Sequence, residues 1–245
     1  MSKTLRRFIE AALIAFLLLG VIALIYCSVE VVPGRLDDMD DDIYYQSLSA
    51  DLQEIISDND NSKDLGSVEW SDDMFCWMVI DGCCKYPVMK APASDRDYYL
   101  DHRADGMRSS SGSLFVREGE YGIDNIIVYG HNMRNGKMFG VLKKYRDTKW
   151  AEEHRRITII DPSGVNEYEV FAVVIESADN RKIKWEKFVD VSDDRSEQYY
   201  ELAGKLSVVD LCNNKREISG KRYLTLVTCD NSVQNGRLVV IAAEV

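Results

Sequence analysis

The chain has 245 residues, with an aliphatic and aromatic content ordinary for a globular protein. That suffices for one domain with a buried core plus a short appendage, but not for two full-sized domains. The formal net charge is −11, and because Lys3, Arg6 and Arg7 against Glu10 leave the first ten residues at +2, the remainder carries −13. So acidic a surface repels phosphate backbones, and no basic patch with interleaved aromatics is present, which excludes nucleic acid as a partner.

Residues 1–10 read as a cytoplasmic tail and 11–32 as a transmembrane signal-anchor helix. Ala11 to Val29 contains no charge, and nineteen residues at about 1.5 Å each span roughly 28 Å, close to one hydrocarbon core. The basic flank precedes this stretch and an acidic flank, Glu30 and then Asp37 to Asp42, follows it. Positive-inside reasoning therefore puts the N-terminus in the cytoplasm and the remainder outside the cell membrane, as a single-pass protein. The apolar stretch is too long for a cleaved signal peptide and lacks a small-x-small site. Bulky Ile25 and Tyr26 argue against lipid attachment at Cys27.

Residues 33–66 read as a helical stalk and linker. Pro33-Gly34 breaks the first helix, and Asp37 to Ile56 places Ile43, Leu48, Leu52, Ile55 and Ile56 near helical spacing. The spacing predicts an amphipathic helix starting around Asp40 to Asp42, packed on the domain, with carboxylates suited to a helix N-terminus. The acidic run lacks the Asp-x-Asp-x-Asp-Gly spacing of a calcium loop. Ser57 to Ser67 is a polar linker.

Residues 67–245 form the main domain. Predicted strands are Phe75–Ile80, Tyr86–Met89, Ser113–Val116, Asn125–Tyr129, Arg156–Asp161, Tyr168–Glu176, Tyr223–Thr228 and Leu238–Ala243. Turn signals at Asp81-Gly82, Glu118-Gly119, Pro162-Ser-Gly164 and Asn235-Gly236 separate most of them. Eight such strands predict a mainly β fold, a closed or nearly closed barrel that removes exposed edges. Helices are predicted at Lys137–Tyr145, with Met138, Val141, Leu142 and Tyr145 on one face, and at Ser192–Ala203, with Ser192 as its cap.

Cysteines stand at 27, 76, 83, 84, 212 and 229, with no C-x-x-C pairs of zinc-site type, so no metal is expected. Cys83 and Cys84 are vicinal. Either Cys76 or Cys212 bridges one of them, or all four are buried free thiols, the reading that the packing habit of cysteine favours.

Chemistry concentrates near the C-terminus. Tyr223-Leu-Thr-Leu-Val-Thr-Cys229 ends a strand in a thiol, and Asn235-Gly-Arg237 opens the next strand with a guanidinium. Neighbouring strands would place both groups on one rim. A cysteine nucleophile needs an acid–base partner, and His131 in Tyr129-Gly-His-Asn-Met also follows an apolar strand. His102 and His154 sit among alternating charges and read as solvated faces. The bland alternative for Arg237 is a rim ion pair with Asp230 or Glu244.

The Thr-Leu-x-Thr-Cys strand end, the arginine on the following strand and the upstream Gly-His-Asn resemble a sortase, the cysteine transpeptidase of Gram-positive surfaces. Tyr129 to Phe139, Tyr98-Tyr-Leu-Asp101 and Ser111-Gly-Ser-Leu-Phe115 are similar to class B sortases in particular. The resemblance covers roughly Ser67 to Val245 and implies an eight-stranded sortase-type barrel with peripheral helices, one of them walling the substrate groove. It implies Cys229 as nucleophile, His131 as acid–base and Arg237 as oxyanion or substrate-carbonyl donor, with Thr228 and Leu100 as substrate-binding residues. Val227 departs from the serine common at the variable position of the motif, which bears on the sorting motif more than on the chemistry.

The implied reaction cleaves a secreted protein's C-terminal sorting motif after threonine. A thioacyl-enzyme forms on Cys229, and the protein passes to an amine of a peptidoglycan precursor or cross-bridge, with no cofactor. Three alternatives share the fold. One is a pilin-polymerising member, against which counts the lack of an Asp-Pro-aromatic plug before the barrel. Another is a membrane cysteine endopeptidase whose thioester is resolved by water. The last is a non-catalytic surface-binding barrel, against which the intact Cys, His and Arg argue.

Overall fold

The computed structural model describes residues 3–26, 28, 39–50, 70–80, 82–122, 124–190, 193–209, 211 and 222–245. Expectations for Cys27, Pro33-Gly34, Asp37, Leu52, Ile55, Ile56, the Ser57–Ser67 linker, Asp81, Ser192 and Cys212 lie outside the described residues. The chain divides into two units, Met1–Tyr44 and Tyr45–Val245.

In the first unit the uncharged run forms a helix, α1 (Lys3–Tyr26), whose segment Arg6–Tyr26 is long and apolar enough to cross a membrane. Its large side chains, Phe8 and Phe16 among them, face outward. Arg6 and Glu10 pair one turn apart on its basic end.

Residues 39–50 are helical (α2), inside the stretch predicted to be amphipathic. The anchoring positions differ from the expected set, because Ile43 is exposed whereas Tyr45 is buried. A tyrosine gains more there than an isoleucine. Its ring meets Tyr86 edge-on with centroids 5.3 Å apart, and its hydroxyl donates to the Gly112 carbonyl at 2.8 Å. Leu48 packs with Trp70 beside a small cluster of Trp77, Val79 and Ile160.

Runs rich in β-branched and aromatic residues make the eight strands of the second unit. These are β1 (Met74–Ile80), β2 (Cys84–Lys90), β3 (Leu114–Val116), β4 (Asn125–Tyr129), β5 (Arg156–Asp161), β6 (Gly164–Ser177), β7 (Tyr223–Asp230) and β8 (Gly236–Glu244). They close into a barrel in the order β1-β2-β3-β4-β7-β8-β6-β5. All neighbours are antiparallel except β2–β3 and β4–β7, which run parallel. The 14-residue β6 exceeds its predicted length because its first half pairs with β5 and its second with β8.

The expected helix at 137–145 is instead a 3-10 helix, Phe139–Arg146, carrying the predicted buried face of Val141, Leu142 and Tyr145. Two constraints delay its start. Met138 adopts φ +49°, and the Phe139 N–H is committed to the His131 carbonyl at 3.0 Å. A short helix that the sequence reading missed, α3 (Thr148–Glu153), follows, with Asp147 capping the Trp150 N–H at 2.9 Å.

Helix α4 (Asp193–Leu206) packs on β6 and β7 through hydroxyls as well as apolar contacts. Thr225 donates to Asn125 Oδ1, so the 2.6 Å contact of its Oγ1 with the Tyr199 hydroxyl has tyrosine as donor. Ser196 Oγ and the Tyr223 hydroxyl lie 3.1 Å apart.

Burial raises several acids on these elements. The Cys84 thiol and the Tyr168 phenol are pushed up to about 12, and Cys76, Tyr145 and Tyr199 are raised as well. A raised folded value means that the native state holds the proton more tightly. The resulting stability is complete below the ordinary thiol value and is lost as pH rises through the folded ones. We predict a thermal midpoint without a downward trend from these groups between about pH 7 and 9, falling steadily from about 9 to 12. A midpoint unchanged to the alkaline end would contradict the assignment.

Candidate active site

Every residue of β7 from Tyr223 to Thr228 is buried, Cys229 is exposed, and Asp230 is buried again. The cause lies in what covers each face. The alternate residues Tyr223, Thr225 and Val227 lie under α4 and the Trp185–Phe188 turn, joined to them by the hydroxyl contacts above and by one apolar cluster. Cys229 is the next residue on that face, where the cover ends.

Arg237 lies directly opposite Cys229 in the antiparallel β7–β8 pair, and Glu176 of β6 lies opposite Arg237 on the other side. Directly opposite residues project on one face with Cα atoms about 4.5–5.5 Å apart, so thiol, guanidinium and carboxylate form one row across three strands. The two carboxylates suspected of pairing with Arg237 are engaged elsewhere. Asp230 pairs with Arg146 and accepts from the Ser232 N–H at 2.7 Å, and Glu244 pairs with Arg222. The Arg237 guanidinium donates to the Gly236 carbonyl at 2.9 Å and to Asn235 Oδ1 at 3.3 Å, both neutral acceptors. Among the described residues no carboxylate forms an ion pair with it.

His131 reaches the same rim from the other flank of β7. The parallel register pairs Tyr129 with Val227, so two residues onward the chains bring His131 level with Cys229. Three hydrogen bonds hold the chain ends together beyond that pair. The Gly130 N–H donates to the Val227 carbonyl at 3.3 Å, Thr228 Oγ1 donates to the Gly130 carbonyl at 2.7 Å, and Asn132 Nδ2 donates to the Cys229 carbonyl at 2.7 Å. Gly130 has no room for a side chain, since a Cβ would lie 2.4 Å from Leu114 Cδ2. The imidazole itself is half-buried, and its Nε2 lies 2.8 Å from the Leu100 carbonyl.

Thr228 and Leu100, expected to contact substrate, are placed as follows. Thr228 is buried on the face opposite Cys229, and its hydroxyl is committed to Gly130. Leu100 ends the 3-10 turn Tyr98–Leu100, with its half-buried side chain at the edge of the main cluster and its carbonyl on His131. Val227, at the variable motif position, is packed in that cluster.

His102 and His154 are half-buried rather than on solvated faces, which corrects the sequence reading. Each ring stacks on the aromatic four residues before it, Tyr98 at 3.8 Å and Trp150 at 4.0 Å between centroids. Each places Nδ1 2.8 Å from that aromatic's carbonyl. Asn132, Arg146 and the Leu100 carbonyl are the site contributors that sequence reasoning missed. Cys76 and Cys84 are buried thiols, while Cys83, also outside any disulfide, is half-exposed rather than buried. Among the described residues no three side chains of metal-binding type converge.

Comparison with known proteins finds relatives in sequence and in fold. The Sortase domain family matches residues 85–245. Sortase B of Listeria monocytogenes is 35% identical over 177 residues, covering 69% of this chain and 68% of the relative. The structure of Clostridium perfringens sortase B superposes with a TM-score of 0.63 at 30% identity, over 71% of this chain and 94% of that one. A Staphylococcus aureus sortase B–substrate complex shares the fold with a TM-score of 0.71 at 21% identity, over 86% of this chain and 98% of that one.

Exposure separates the thiols. Cys229 is open to reagents, whereas Cys76 and Cys84 are buried with raised pKa values and stay protonated at neutral pH. Brief treatment of the folded protein with iodoacetamide is expected to modify Cys229 and to spare Cys76 and Cys84, as read by peptide mass. Equal modification of all three in folded protein would contradict the placement.

Proposed function

This chain belongs to the sortase family of cysteine transpeptidases, and from that premise we propose that it is a membrane-anchored class B sortase that attaches secreted proteins to the cell wall. The observation that carries the proposal is the exposed Cys229 thiol facing an arginine with no carboxylate partner among the described residues, with His131 tied to the same strand end. Helix α1 supplies a membrane anchor with its N-terminus in the cytoplasm and the barrel outside. There both a secreted substrate and a lipid-linked acceptor pass close to the membrane.

The Cys229 thiolate attacks the carbonyl carbon after the threonine of a C-terminal sorting motif. The negative charge that develops on the carbonyl oxygen is met by Arg237, whose guanidinium donates hydrogen bonds without losing a proton. Collapse of the tetrahedral species breaks the peptide C–N bond as imidazolium His131 gives its proton to the leaving nitrogen, and a thioester remains. A primary amine of a peptidoglycan precursor or cross-bridge then attacks the thioester. His131 takes a proton from that amine, the C–S bond breaks, and Cys229 returns as thiolate.

Specificity is assigned from the packing around the strand end. One relative of the same fold has been captured with a substrate. We assign Leu100 to the wall that a bound peptide meets, and Thr228 to holding the histidine segment against the cysteine strand. Val227 contributes packing at a position where a serine hydroxyl would otherwise stand, so the recognised motif differs from that of serine-bearing members.

A library of peptides carrying candidate sorting motifs, incubated with the full chain with and without an amine acceptor, tests the proposal by product mass. An amide product requiring the amine is expected. Cys229→Ala abolishes it, and Arg237→Ala lowers kcat by about 10²–10³-fold. Hydrolysis unaffected by amine would replace transpeptidation with peptidase action, and turnover by Cys229→Ala would overturn the nucleophile.

A further inference from the structure

We propose that the main-chain carbonyl of Leu100 fixes His131 as its Nε2–H tautomer, making Nδ1 the nitrogen that takes and returns the proton, and that Gly112 is the positioning residue that lets the carbonyl reach the ring. The proposal deepens the acid–base role given to His131 above and rests on it.

A peptide carbonyl oxygen has lone pairs and no proton, so the 2.8 Å contact between His131 Nε2 and the Leu100 carbonyl is a hydrogen bond only if Nε2 carries the hydrogen. That holds whether the ring is neutral or cationic. The neutral ring then has its lone pair on Nδ1, and protonation adds the second proton there. A ring of the opposite tautomer would already hold a proton on Nδ1 and could not accept one at that nitrogen. In many nucleophile–histidine pairs a carboxylate or carboxamide orients the ring. Here a backbone carbonyl does so, which leaves the rim free of another negative charge beside the Cys229–Arg237 row.

The other two histidines make the opposite choice. His102 and His154 each point Nδ1 at the carbonyl of the aromatic four residues before, so each is an Nδ1–H tautomer. In a chain with three histidines, His131 alone is predicted to be protonated at Nε2.

Gly112 sets where the carbonyl sits. The Leu100 carbonyl belongs to the Tyr98–Leu100 turn, which is held by the Leu100 N–H to the Asp97 carbonyl at 2.8 Å and by the Ser113 N–H to the Tyr99 carbonyl at 2.8 Å. Gly112 lies against that turn with φ +59°, a backbone conformation that favours glycine. A Cβ there would meet the Tyr99 oxygen at 2.4 Å and the Leu100 oxygen at 2.6 Å. From the far side the Tyr45 hydroxyl of α2 donates to the Gly112 carbonyl at 2.8 Å. The segment is thus clamped between α2 and the turn, and any side chain at 112 must push the Leu100 carbonyl off the imidazole.

Long-range proton–nitrogen NMR of the full chain in detergent micelles, labelled with ¹⁵N-histidine, reads the tautomers directly. It is recorded near pH 9, where an ordinary imidazole is neutral, and a His131→Gln sample assigns the signals. We expect a pyridine-type Nδ1 at His131, with the Nε2–H form favoured roughly tenfold, as one hydrogen bond provides. His102 and His154 are expected to show a pyridine-type Nε2. A His131 pattern matching the other two would overturn the proposal in the wild-type chain alone. In Gly112→Ala the His131 preference for the Nε2–H form is expected to weaken while His154 keeps its wild-type pattern, which certifies the fold. An unchanged His131 pattern in that folded variant would overturn the role of Gly112. No substrate enters these measurements, so their failure is distinct from a failure of the transpeptidase reading, which the amine-dependent product mass decides.

Discussion

Two parallel strands, β4 and β7, lead to the residues proposed to carry the chemistry, and the pairing between them is the constraint on which the site depends. Neither strand places a reactive group usefully by itself. Cys229 is exposed only because the α4 cover ends there, and His131 lies on a loop that other contacts must hold. The tie between Thr228 and Gly130 joins residues 98 apart in sequence, and the Asn132 bond to the Cys229 carbonyl joins residues 97 apart. Each such bond contributes about 1 kcal/mol net, which is modest. Their effect is geometric, because a parallel register with three further ties leaves the imidazole little freedom to drift from the strand end. Closing the barrel is what makes that register available, since β7 is held on its other side by β8.

Charge at the rim is arranged by exclusion. An arginine among so many carboxylates would ordinarily be neutralised by one of them, and a neutralised Arg237 could do little for a developing oxyanion. Two of the acidic neighbours are instead assigned to other cations, Asp230 to Arg146 and Glu244 to Arg222, while Glu176, opposite Arg237 on β6, accepts from the Lys182 N–H at 2.8 Å. The Arg146–Asp230 pair has a second effect, since Arg146 ends the 3-10 helix that follows His131 and Asp230 follows Cys229. The same ion pair that removes a competitor for Arg237 therefore braces the histidine segment against the cysteine strand.

Much of this was legible in the sequence, and the reasons differ by residue. Strand positions followed from short apolar runs and turn residues, and Asn125–Tyr129 and Arg156–Asp161 match the observed strands end to end. The Cys–Arg row was legible because hairpin neighbours share a rim whatever the rest of the barrel does. The parallel β4–β7 register was not, since nothing local to either strand encodes a partner a hundred residues away. His102 and His154 were misread as solvated because alternating charge dominates their surroundings; the overlooked signal was an aromatic at i−4 on each, which lets the rings stack. The part played by the Leu100 carbonyl had no side-chain signature at all. Its only trace in sequence was a glycine in the Ser111-Gly-Ser113 triplet, where a backbone must pass close to another.

The central claim is that the fold brings positions 131 and 229 together, and cross-linking measures this without reference to catalysis. In a His131→Cys chain the two Cα atoms should fall within the roughly 4.4–6.8 Å that a disulfide spans. Mild oxidation followed by peptide mass analysis should therefore yield a disulfide between positions 131 and 229 as the dominant new linkage in folded protein. Failure of that bridge to form while the variant remains folded would contradict the account.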